Sequence, residues 1–143
     1  RNERGAMSGV KSTSYAENVV ALATAKAAGA NEAIFANTVG DLCEGTGTNV
    51  FVVMDGELVT PPLSSGCLAG VTRELLLETL DVSERPIPLA ALSEASEAFL
   101  TSSTRRVQPI RNVDNVTLAE CPGPFTLDAA AKFNDLLVSS LDP

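Results

Sequence analysis

Apolar residues recur at Val19, Val20, Ala23 and Ala27, the spacing of one helical face, and predict a helix over residues 14–29 with Ser14 as N-cap and Gly29 as its stop. Beyond Gly29 the helical period gives way to short apolar runs separated by Gly, Pro, Asn and Asp. Residues 32–36 and 42–44 read as a hairpin around a turn at 38–40. Residues 49–54 and 57–60 read as a tighter one, because Asp55-Gly56 suits a two-residue turn with both φ angles positive. Pro61-Pro62 ends that second strand, residues 63–69 form a small-residue loop, and Gly70 opens a helix running to about Leu80. A short strand is expected between Pro86 and Pro88, a helical turn at 89–94, and two strands at 98–101 and 107–110 joined through Ser102, Ser103 and Thr104. A turn at Asp114-Asn115 and an amphipathic helix after Pro124, with Leu127, Ala130, Ala131, Phe133, Asn134 and Leu137 marking its face, close the chain. The order of elements predicts an α+β domain whose mostly antiparallel sheet curls around a core.

Composition narrows the range of functions. The 143 residues suit one domain, and 45% apolar with 20% charged residues is a globular balance. A net charge of −8, with no block of Lys or Arg, argues against nucleic acid or an anionic membrane as partner. No apolar run reaches the length of a membrane span, so a membrane location is not expected. Cys43, Cys67 and Cys121 form an odd set without C-x-x-C spacing, which indicates neither a disulfide framework nor zinc, and a reducing cytoplasm suits them.

Four stretches could carry chemistry. Glu44 stands between an apolar run and the turn Gly45-Thr46-Gly47, where the backbone would fix it half-buried and in want of a cationic partner. The chain has no histidine and its lysines, Lys11, Lys26 and Lys132, are distant in sequence, which makes a bound cofactor the candidate partner. Lys11, flanked by Val10 and small hydroxyl residues, could serve as a nucleophile or base, although an exposed lysine explains the same stretch. Gly70-Val71-Thr72 places free backbone N–H groups and a hydroxyl at a helix start, and Ser102-Ser103-Thr104 gathers hydroxyls in a turn. An ordinary helix cap and an ordinary polar turn are the local alternatives. Arg105 and Arg106 could meet a substrate carboxylate but read as solvated, as do Lys26 and Lys132. Cys43 and Cys67 read as buried small apolar groups, and Tyr15 as a pocket or helix-start residue. Taken together, a lysine, a strand carboxylate and two phosphate-competent turns are what pyridoxal phosphate requires.

The ordered segments Lys11-Ser12-Thr13-Ser14-Tyr15, Asn31-Glu32-Ala33-Ile34, Cys43-Glu44-Gly45-Thr46-Gly47-Thr48-Asn49-Val50-Phe51, Thr60-Pro61, Gly70-Val71-Thr72-Arg73 and Phe99-Leu100-Thr101-Ser102-Ser103-Thr104, with Pro109, resemble the fold-type IV, or class IV, aminotransferases. That family includes branched-chain and D-amino-acid aminotransferases and 4-amino-4-deoxychorismate lyase. The resemblance implies the C-terminal domain of the D-amino-acid-aminotransferase-like fold, with a barrel-like sheet and flanking helices. It implies pyridoxal 5'-phosphate bound covalently to Lys11, which also shuttles the substrate proton as a general acid and base. Glu44 would pair with the pyridine nitrogen, and Val71, Thr72, Ser102 and Ser103 would hold the phosphate. It further implies an amino-acid-like substrate and a homodimer.

Two departures accompany the resemblance. The family places a smaller domain before the lysine, and this sequence is expected to lack it and to be a fragment or one of two associated pieces. Some branches carry Asn three positions after the lysine, where this sequence has Ser14. The continuation Ser14-Tyr15-Ala16-Glu17-Asn18 and the loop at 63–70 favour the lyase, a step of folate biosynthesis, over a branched-chain or D-amino-acid aminotransferase. A non-catalytic remnant of the fold is the remaining alternative.

Overall fold

The computed structural model describes residues 1–6, 8–11 and 15–139. In chain order its elements are α1 (Ala16–Ala27), β1 (Ile34–Ala36), β2 (Leu42–Gly45), β3 (Asn49–Met54), β4 (Glu57–Thr60), α2 (Val71–Thr79), β5 (Ser83–Glu84), β6 (Glu97–Ser102), β7 (Arg106–Ile110), β8 (Asn112–Val113), β9 (Val116–Thr117) and α3 (Pro124–Ser139). Ser14, the expected N-cap of α1, lies outside the described residues; Tyr15 occupies the cap position, and Gly29, with a φ of 85°, turns the chain away after the helix.

The β3–β4 hairpin forms where Asp55-Gly56 predicts it, both residues at positive φ, 54° and 78°. β3 lies at the centre of a five-stranded sheet of order β5-β4-β3-β6-β7, antiparallel except where β5 joins β4. Both faces of this sheet are covered, so β3 reads as a continuous apolar run rather than an alternating one. Val50, Val52, Ala98 and Leu100 point to one face and pack with Leu42, Ile87 and Leu92. Phe51, Val53 and Phe99 point to the other, where they meet Leu76 of α2 and Ala129 and Phe133 of α3. Phe51 and Phe99, directly opposite in register, stack with ring centroids 4.9 Å apart.

Several expectations change. No closed barrel is shown among the described residues: the strands divide into one five-stranded sheet and two two-stranded ones, β1-β2 and β8-β9. Pro86 and Pro88 bracket no strand, since neither has an N–H for a ladder. Ile87 between them is fully buried and its carbonyl accepts the Leu42 N–H at 2.7 Å, while the strand, β5, sits three residues earlier. α3 buries Thr126, Ala129 and Phe133, whereas Leu127 and Leu137 face outward, a rotation set by the N-terminal anchor discussed below. No residue of α1 is buried, so its valines at 19 and 20 are uncovered by the chain. Lys132 is half-buried rather than solvated. No helix among the described residues is long and apolar enough to cross a membrane.

Candidate functional site

The site lies at the end of the sheet where β3 begins and β6 finishes. Asn49 and Thr101 pair there, on the same face as Phe51 and Phe99 and hence on the side of the helices. The start of α2 packs against them so closely that a Cβ on Gly70 would fall 2.1 Å from Asn49 Oδ1. Asn49 Nδ2 in turn donates to the Leu68 carbonyl at 2.7 Å, tying the preceding loop to the strand. Gly70 caps α2 without a side-chain hydrogen bond. The first N–H groups of the helix, at Val71 and Thr72, therefore retain their appetite for an anion.

Glu44 enters from the end of β2. Its Oε2 accepts the Leu68 N–H at 2.8 Å and its Oε1 accepts Nε of Arg1 at 2.9 Å, with the side chain 13% exposed. An arginine of the chain itself is thus one cationic partner of this carboxylate, beside the bound cofactor that the sequence offers as candidate. Arg1 is held from two further sides, by the ring of Phe35, 4.0 Å from its guanidinium carbon, and by Glu17, 2.9 Å from Nη1. Sequence distance from Glu44 hid it: β1 and β2 pair Phe35 with Glu44, and the cation rests over that pair.

Lys11, Glu44, Val71, Thr72, Ser102 and Ser103 all line one cavity of about 650 Å³, together with Arg1 and Tyr15. Lys11 is exposed at its margin, so burial within this chain does not desolvate it, and residues 12–14 beyond it are outside the described part. Thr48 and Thr101, present in the ordered motifs but given no role there, also border the cavity, and their Oγ1 atoms are buried without a hydrogen-bond partner. The two-residue period that places Phe99 under the helices carries Thr101 to the same face and would have found it. Arg105 and Arg106 do not border the cavity; they pair with Glu32 and Asn134. Cys43 and Cys67 are buried as expected, and burial pushes their thiols up to about 12 and about 11 respectively. Neither is a nucleophile at neutral pH.

An α+β chain with an amine, an anchored carboxylate and an uncapped helix start facing one cavity belongs to the class IV aminotransferase family, whose model, amino-transferase class IV, matches residues 1–113. Among its relatives are a candidate branched-chain-amino-acid aminotransferase of Methanocaldococcus jannaschii, 35% identical over 89% of this chain and 46% of its own length, and the branched-chain-amino-acid aminotransferase of Escherichia coli K12, 32% identical over 78% and 38%. Among solved structures, the branched-chain amino acid aminotransferase of Thermobaculum terrenum in its PLP form superposes with a TM-score of 0.90 and 30% identity, covering 97% of this chain and 48% of that one. A candidate 4-amino-4-deoxychorismate lyase of Legionella pneumophila superposes with a TM-score of 0.89 and 28% identity over 94% of this chain and 52% of that one. The chain spans about half the length of the proteins it matches.

Proposed function

We propose that this chain is the pyridoxal-phosphate-binding part of an aminotransferase that moves an amino group between a branched-chain amino acid and a 2-oxo acid. The observation that carries the reading is the gathering, on one cavity, of the six residues that the family resemblance singles out. The donor set suits the cofactor. An amine, Lys11, can hold its aldehyde carbon; an anchored carboxylate, Glu44, can accept a hydrogen bond from a ring nitrogen; an uncapped helix start and the hydroxyls of Thr72, Ser102 and Ser103 can take its phosphate. The unpartnered hydroxyls of Thr48 and Thr101 are the buried polar atoms that a polar ligand nearby would satisfy.

Pyridoxal phosphate, when bound, supplies an electron sink that makes an amino acid's Cα–H bond acidic. The rest falls to the chain. Lys11, once its amine is free, takes the proton from the substrate Cα and returns it elsewhere, as a positioned general base and acid. The N–H of Leu68 and the guanidinium of Arg1 hold both oxygens of Glu44, which keeps the carboxylate oriented before any ligand arrives. The start of α2 fixes the anionic end of the ligand and leaves the amine at the opposite task.

The branched-chain substrate is supported by the names of the relatives, of which both the Escherichia coli and the Thermobaculum proteins are such aminotransferases. A second reading, release of pyruvate and p-aminobenzoate from 4-amino-4-deoxychorismate, is supported by the Legionella likeness and by the Ser14–Asn18 continuation. Because the chain spans about half the length of its relatives, the test supplies in trans the part of a relative that this chain does not cover. Transfer of the amino group of glutamate to branched-chain 2-oxo acids supports the first reading. Formation of p-aminobenzoate without transamination replaces it with the second, and neither activity, with both parts folded and associated, marks a non-catalytic remnant. The same reading includes a cytoplasmic homodimer; sedimentation velocity showing only monomer at micromolar concentration would refute that part.

A further inference from the structure

The turn joining β6 to β7 is under strain. Ser102 pairs with Arg106 across a three-residue loop, and Arg106 has a φ of 56°, the left-handed region. That conformation is unfavourable for a residue with a side chain and persists only where its surroundings over-determine it. Three contacts do so. The Arg105 N–H donates to Ser102 Oγ at 3.0 Å, Arg106 Nη1 donates to Asn134 Oδ1 of α3 at 3.2 Å, and Arg105 Nη1 donates to Glu32 Oε2 at 2.8 Å.

The last of these reaches furthest. The Glu32 side chain is 9% exposed, and its other oxygen accepts the N–H groups of Ala33 and Thr46, each at 3.1 Å, and the Thr46 hydroxyl. Thr46 sits in the turn that the Gly45 N–H closes onto the Thr48 carbonyl, directly after Glu44, and its carbonyl accepts Nδ2 of Asn18 from α1. One carboxylate therefore joins the turn that bears Ser102 and Ser103 to the turn that follows Glu44. Neither Glu32 nor Arg105 borders the cavity, so whatever they contribute passes through those turns.

We propose that the Glu32–Arg105 pair is a positioning strap that fixes the Ser102–Ser103 turn relative to Glu44 and thereby sets the affinity for the phosphate of the ligand rather than for its ring. The proposal rests on the cofactor reading above. A partly buried pair whose carboxylate is held by three further donors keeps its geometry, unlike an exposed pair between two mobile side chains. Removing the guanidinium frees the strained turn to relax, and the hydroxyls at 102 and 103 lose their common aim.

The test is a spectrophotometric titration of the full chain with pyridoxal phosphate and, separately, with pyridoxal, which has the ring and aldehyde but no phosphate. Wild type is expected to favour the phosphorylated form strongly. Arg105→Ala and Glu32→Gln are each expected to lower that preference about tenfold while leaving pyridoxal affinity within about twofold, with most of the preference restored by Arg105→Lys. The double variant is expected to be no worse than either single one, because the two residues act as a unit. Equal losses for both ligands would reduce the pair to a general structural role and overturn the proposal, as would an unchanged preference. If wild type binds neither ligand, or shows no preference for the phosphate, the cofactor reading fails first and the strap with it.

Discussion

Single residues here are governed by what holds them. Glu44 has each oxygen taken by one donor, Arg1 and the Leu68 N–H, and its small exposure shields the pair from solvent. The thiols of Cys43 and Cys67 show the opposite effect, since burial disfavours the thiolate and outweighs the pull of Arg73 on Cys67 and of Arg1 and the N-terminal ammonium on Cys43. Both thiols stay protonated in the folded chain up to about 11 or 12, while an unfolded thiol titrates near about 8.5. The folded state therefore binds more protons than the unfolded state above that lower value. Stability that is fully present below about pH 8.5 is expected to decline as pH rises toward the folded values, and urea denaturation at pH 7.5 and pH 10 would show it. Serine at both positions should flatten that decline. In a thiol-labelling experiment at pH 8 on the folded chain, half-buried Cys121 is expected to react well before the other two.

Elements are joined by a few polar anchors that the hydrophobic pattern does not display. Glu97 of β6, 1% exposed, accepts the N–H of Phe125 at 2.9 Å and the N–H and hydroxyl of Thr126 at 3.0 and 2.7 Å. It caps α3 from another element, in a place where the helix dipole favours a negative charge. Glu97→Ala is expected to cost about 2–4 kcal/mol in urea unfolding, since three donors, two of them backbone, lose a charged acceptor. A loss below about 0.5 kcal/mol would refute this account of the anchor. At the start of α2, Gly70→Ala would drive a methyl group into Asn49, release the loop at Leu68 and weaken phosphate binding at least tenfold, with pyridoxal phosphate titration as the measure.

This is also where the limits of the sequence show. The β3–β4 hairpin was legible because Asp55-Gly56 is a local signal, and α2 because the small-residue loop gives way to a helix start at Gly70. The orientation of α3 was not, because the face it buries is set by Glu97, some 28 or 29 residues away in sequence. The Pro86–Pro88 segment misled for a related reason: Ile87 is buried as a strand residue would be, yet the segment forms only an isolated bridge, Pro88 with Asp41, rather than a ladder. Within the site, the ordered motifs marked Lys11, Glu44 and the two turns and ran through Glu32 and Thr101 without giving them a part, whereas Arg1 became visible only once pairing brought Phe35 beside Glu44.

The whole chain is a two-faced sheet with the cavity at one end, and the helices of one face supply its anion-competent corner. Lys11 stands exposed on the margin and the valines of α1 are uncovered. The chain spans about half the length of the relatives it matches. On the function proposed above, this cavity holds pyridoxal phosphate on Lys11. The most direct test is the visible absorption spectrum of the chain with added pyridoxal phosphate, followed by borohydride reduction and peptide mapping. The account predicts a yellow band that Lys11→Ala abolishes, and a reduced cofactor found on the peptide containing Lys11. A colourless chain, or label spread equally over Lys26 and Lys132, would contradict it.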